Sequence, residues 1–238
     1  MATVVRNRIY LALAGALALF VFIGFARTYY LRPLFDVPPI TYLIHAHAIL
    51  FTAWVVVFVL QVRLISKQDY RTHMQLGVLG VILAVLIFAV GMAATIASSG
   101  ETRPRPMGMT PAQFTILPAS SILLYGALVL AAVLLRKRAE LHKRLMVMAM
   151  IAVLGPPTAR LIRAAGLGQD FLVIQTSVAA FFVVCALVAD WMRHRSIHAV
   201  YAVGGALLVI SWPVRFWFAR TPAWEAVGQW MIATASGA

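Results

Sequence analysis

Cysteine is nearly absent: the 238 residues contain one, Cys185, inside an apolar run. That excludes a disulfide framework and a cysteine-built metal centre within one chain. Acidic residues are scarce too, with seven Asp and Glu against twenty Lys and Arg. Charged residues make up 11 % of the chain, less than half the ~25 % usual in soluble domains. No glycine-rich phosphate loop, nucleophile elbow, internal repeat or low-complexity segment is present. These deficits exclude a soluble domain and remove the common signatures of nucleotide-binding and hydrolytic enzymes.

What fills the space is apolar. Hydrophobic residues account for 63 % of the chain and the mean hydropathy is +0.91. Long apolar runs predict membrane-crossing helices over 9–26, 40–62, 76–97, 114–135, 141–165, 171–191 and 197–219, each close to the ~20 residues a bilayer requires. The first run follows Arg6 and Arg8 but has no small-residue cleavage site near its end, so it reads as a retained span. The expected fold is all-α: a polytopic seven-transmembrane-helix bundle over 1–220, followed by a short interfacial tail over 221–238 in which Trp224, Val227, Trp230 and Met231 recur at helical spacing.

The net charge of +13 is carried in short clusters between the runs. Lys and Arg so placed set membrane orientation, and no nucleic-acid partner is implied. Twelve of the twenty positives fall on the side of the N-terminus and eight, including Arg103, on the other. The N-terminus is therefore expected to be cytoplasmic. The loop carrying Arg103 and Pro104 is the longest connector and is expected to be irregular.

Helical spacing sorts the polar residues within the spans. His45 and His47 lie two apart and point to nearly opposite sides, and His47 continues inward as Trp54 and Gln61. His73, read as the end of a polar loop, heads a stripe of small residues, Gly77, Gly80, Ala84, Gly91 and Thr95, of the kind that lets membrane helices approach closely. His142 opens the fifth span, where Pro156-Pro157 should kink or break the helix. The spans are taken to hold no acidic residue, which argues against a pump working through intramembrane carboxylates.

Three constellations follow. The first pairs His73 with His142 as axial ligands of a b-type haem iron, with Gly77 and Gly80 beside the ring and Arg71, Lys143 and Arg144 near the propionates. This pair resembles one half of the di-haem b-type transmembrane cytochromes that oxidise ascorbate, in which the third and fifth helices share one haem. The match stops there, since the fourth span has no histidine to partner His47. A quinone or a redox protein is the partner such a site would take, beside the lipid bilayer itself. The second constellation gathers His47, Arg160, Arg163 and Arg215 at the opposite surface as a site for an anionic head group or carboxylate. It fits a non-enzymatic binder of lipids or small molecules, or an accessory subunit. The third, His194-x-x-x-His198 with His73, has the spacing of a zinc site, as in seven-span membrane hydrolases, although their early acidic residue is missing.

Several stretches together resemble a family of uncharacterised bacterial multi-span inner-membrane proteins. They are His45-Ala46-His47 with Trp54 and Gln61, Arg71-Thr72-His73 with Leu76-Gly77, and His142-Lys143-Arg144-Leu145-Met146 with Pro156 and Arg160. The resemblance covers residues 25–165 and implies a bacterial plasma-membrane location and a helical bundle. It implies no particular activity.

Overall fold

The structure, a computed structural model, describes residues 2–101 and 105–237, with side chains from Ile9 onward. Arg103, Pro104 and the side chains of Arg6 and Arg8 lie outside the described residues. Among the described residues every regular element is helical, and seven helical segments are long and apolar enough to cross a membrane. The all-α, seven-span architecture is as expected.

The first span is α1 (Ala2–Phe25) continued by a π-helical turn (Ala26–Tyr30), closed by the Leu31 N–H donating to the Ala26 carbonyl at 2.7 Å. Then follow α2 (Tyr42–Ser66), α3 (Tyr70–Ala97), the short α4 (Pro111–Phe114) leading into α5 (Ile116–Leu134), the divided fifth span α6 (Ala139–Ala152) and α7 (Gly155–Ala164), α8 (Phe171–His194), α9 (Ala199–Phe218) and α10 (Pro222–Ser236). Helices α2 and α3, α5 and α6, and α8 and α9 form antiparallel hairpins, as their short connections require. The fifth span is the axis. In its most apolar window 67 % of residues are buried, against 22–44 % in the other spans, because α1, α5, α8 and α9 all pack on it.

Two boundaries differ from the sequence reading. Helix α3 starts at Tyr70, not 76, so His73 sits in its first turn and not in a loop. Local hydrogen bonding drives the difference. The connection is only Lys67-Gln68-Asp69, with Gln68 in the left-handed region, and the Asp69 carboxylate caps α3 by accepting from the Thr72 N–H at 3.1 Å. Hydropathy does not register a capped polar turn. The backbone hydrogen bond from Thr72 also holds the Asp69 carboxyl below the ordinary carboxylate range. The cap is thus fully present above the unfolded-state value and is lost as pH falls through the lowered one.

The fifth span breaks where its two prolines predicted. Pro156 and Pro157 have no N–H, so the Ala152 and Val153 carbonyls lose their helical donors. The chain closes α6 with a tighter bond, Leu154 N–H to Ile151 O at 3.1 Å, and Gln175 of α8 donates to the Gly155 carbonyl at 3.0 Å. Helix α1 presses against the same segment at Gly24. A Cβ there would lie 2.4 Å from Pro157 Cβ. Helix α10 folds back over α4 and α3 and docks through Gly228, where a Cβ would fall 2.4 Å from the Ala112 carbonyl oxygen, while Trp230 remains exposed.

The crossing at Gly24 gives the first prediction. Gly24→Ala must displace backbone and is expected to cost about 1–3 kcal/mol. Gly15→Ala in the same helix meets nothing within 4 Å and should be neutral or stabilise by up to about 1 kcal/mol. Thermal unfolding of both variants in one detergent checks the contrast.

Candidate functional site

The end of the bundle at which α1 begins gathers the starts of α3, α6 and α9 and the ends of α2, α5 and α8. His73 rises from the first turn of α3 and His142 from the first turn of α6. Their ring centroids are 6.5 Å apart with the planes at 87°. The His142 Nδ1 is 2.8 Å from the Ala132 carbonyl oxygen at the end of α5. An N–H there fixes the tautomer and leaves Nε2 as a lone-pair donor. The His73 Nδ1 is buried and has no hydrogen-bond partner. The two rings therefore meet between α3 and α6.

The surrounding residues are arranged differently from the haem expectation. A Cβ at Gly77 would meet Gln61 Nε2 at 3.4 Å and one at Gly80 would meet Val57 at 3.7 Å. Both glycines thus face α2, in the seam of the α2–α3 hairpin. Arg71 is exposed. Lys143 and Arg144 are engaged elsewhere. Arg144, 2 % exposed, donates through Nε at 3.0 Å and Nη2 at 2.5 Å to Asp190 Oδ1. It also donates through Nη1 at 2.6 Å to Glu140 Oε2. Lys143 Nζ lies 2.7 Å from Glu140 Oε2 and 3.0 Å from His194 Nε2.

Asp190 is the hub of this network and corrects the expectation of spans without acidic residues. It lies within α8, is 0 % exposed, and accepts from Arg144, from the Tyr10 hydroxyl at 2.9 Å and from the His198 N–H at 2.9 Å. Four donors on one carboxylate satisfy a buried charge in full. The available signal was the acidic residue inside an apolar run, which calls for a cationic partner at similar depth. Arg144 was that partner, 46 residues earlier.

The zinc constellation does not form. Helix α8 ends at His194, Arg195 turns left-handed and α9 starts at Ala199, so the two histidines share no helix face. His198 instead caps α9, its Nδ1 accepting from the Val200 N–H at 3.2 Å. Among the described residues no three of His, Cys, Asp and Glu come together to hold a metal ion.

At the opposite end His47 points inward and His45 outward, as their spacing required. A Cβ at Gly91 would lie 3.0 Å from the His47 ring, so the glycine of the small-residue stripe makes the niche for it, and its Nδ1 is buried without a partner. Exposed His45 packs on Tyr29, with centroids 5.8 Å apart. Arg160 donates to Thr28 Oγ1 at 3.2 Å and to the Pro156 carbonyl at 3.1 Å, and lies 4.3 Å over the Phe25 ring. Arg163 is exposed and stands apart from this group. Arg215, 6 % exposed, donates to Ser121 Oγ at 3.1 Å and lies 4.8 Å over the Trp212 ring.

No family model, curated protein or solved structure matches the chain.

The Arg144–Asp190 pair carries the second prediction. Asp190→Ala leaves a buried guanidinium half-compensated and should cost about 3 kcal/mol, whereas the double variant Arg144→Met, Asp190→Leu should regain most of that loss. A double-mutant cycle on unfolding free energy measures it, and Lys143→Ala, at a half-exposed position, should cost well under half as much.

Proposed function

We propose that this integral membrane protein binds a b-type haem between His73 and His142 and serves membrane electron transfer. The observation that supports this reading is the 6.5 Å separation of the two ring centroids. Metal–imidazole bonds of roughly 2.0 Å on both sides of one ion bring ring centroids roughly 6 Å apart. The donor set suits the group, since haem iron takes one imidazole from each side. The Ala132 carbonyl on His142 Nδ1 supplies the outer hydrogen bond that orients a ligating ring, and His73 offers a buried nitrogen with no protein partner. Bound haem supplies one-electron chemistry. The chain's own residues orient the two imidazoles and keep Lys143 and Arg144 paired to Glu140 and Asp190. Of the cations expected near the propionates, Arg71 is the exposed one. The reading places the protein in a bacterial inner membrane with this end cytoplasmic, where a quinone or a redox protein is the partner.

Detergent-purified protein from haem-supplied cells should show a Soret band, with an α-band that sharpens on reduction. His73→Ala and His142→Ala should each abolish both, and His45→Ala should leave them unchanged. A folded but colourless wild-type preparation overturns the proposal.

A further inference from the structure

Arg215 is a buried cation without a counter-charge, and it lies at the other end of the bundle from the histidine pair. Only 6 % of it is exposed. Among the described residues no carboxylate pairs with it, and its one hydrogen bond runs from Nη1 to Ser121 Oγ. Ser121 is already committed, donating to the Leu117 carbonyl at 2.8 Å. Among the described residues no hydrogen bond runs from Nε or Nη2 of Arg215. The Trp212 ring stabilises the charge from one face but offers no lone pair. Arg144 makes the contrast. It is buried to a similar degree, yet three of its nitrogens reach carboxylate oxygens. A guanidinium withdrawn from water at membrane depth is costly unless paired.

The fifth span is interrupted beside this arginine. A Cβ on Gly155, the first residue of the ten-residue α7, would lie 2.8 Å from Trp212 and 3.9 Å from Ser121 Oγ. Gly155, at the break, therefore packs directly on the two residues that hold Arg215, while Pro156 and Pro157 leave the first turn of α7 with few N–H donors. The donors for an anion are those of Arg215 itself, a fork shaped for a carboxylate or phosphate.

We propose that Arg215, held in place by Ser121 and Trp212, binds an anionic oxygen group, a phosphate or a carboxylate. The anion replaces the missing protein counter-charge. Arg215 lies three residues before Phe218, where α9 ends, about 5 Å along the axis. That depth is within reach both of a lipid head group and of a small anion from solution.

Thermal unfolding of delipidated wild-type protein decides, with phosphatidylglycerol, phosphatidylcholine or inorganic phosphate added at constant ionic strength. A lipid-borne ligand predicts a rise with phosphatidylglycerol and none with phosphatidylcholine. A soluble ligand predicts a rise with inorganic phosphate. At a hundredfold excess over Kd the rise should be about 5 °C or more. Arg215→Met should lose it, and without anion should melt at or above wild type, because an unpaired charge has been removed. Should Arg215→Met not fold, Arg215→Lys keeps the charge without the fork and should need at least tenfold more anion. Arg163→Ala, at an exposed position, should respond as wild type does. The proposal is overturned if neither phosphatidylglycerol nor inorganic phosphate shifts wild type, or if the Arg215 variant that folds responds equally.

Discussion

The middle of the bundle is organised by a missing pair of hydrogen-bond donors. Pro156 and Pro157 interrupt the most buried span, and no water is available inside a bilayer to replace what they remove. The neighbouring helices are arranged around that interruption. Gln175 of α8 reaches the Gly155 carbonyl, Gly24 lets α1 lie directly on Pro157, and Trp212 of α9 closes on Gly155. A continuous fifth helix would need none of these three contacts. The break is therefore held by α1, α8 and α9 together, and it sets where each of them crosses the central span.

The break also separates two electrostatic regimes within one span. In α6, Arg144 is locked to Asp190 and Glu140, and Tyr10, His198 and His194 are drawn around the same carboxylates. The buried Arg144 is neutralised by its own chain, and His73 and His142 face each other beside this hydrogen-bonded network. Beyond the break the balance reverses. There Arg215 of α9 has a hydroxyl and an indole face as its contacts, and Arg160 within α7 reaches Thr28, the Pro156 carbonyl and the Phe25 ring among its contacts. Between the two ends α2 carries His47, Phe51, Trp54 and Phe58 in series, with successive centroids about 6 Å apart. This packed spine makes the two ends one structural unit.

Much of this was legible in the sequence because it rests on local periodicity. Seven apolar runs gave seven spans. The inward faces His47–Trp54, Ala84–Gly91–Thr95 and Tyr201–Leu208–Trp212–Arg215 follow from helical spacing alone, and burial agrees with them at each position beyond His47, itself half-buried. Hydropathy failed where hydrogen bonds overrode it. Asp69 capped a turn that looked like loop, and His198, by capping α9, ended the register that would have set it beside His194 on one face. Asp190 escaped notice because one acidic residue hardly lowers the mean hydropathy of a 24-residue helix, although its carboxylate gathers Arg144, Tyr10, the His198 N–H and His194 around it.

The two buried arginines show why the remainder was not legible. In sequence Arg144 and Arg215 are alike, each an arginine near the end of an apolar helix, and both were assigned to ligands on that ground. What separates them is the third dimension. Asp190 comes to Arg144 only because α8 packs antiparallel beside α6, and pattern within a helix carries no information about that pairing. Once the acidic residues are placed, the assignments diverge. Arg144 already has its anions and is a structural cation. Arg215 is nearly as deeply buried and has a hydroxyl and an indole ring in their place. Few acidic residues were available in this chain, and those within the bundle were spent at one end. A guanidinium without a counter-charge at the other end is the consequence, and an anion the chain does not encode stabilises it there.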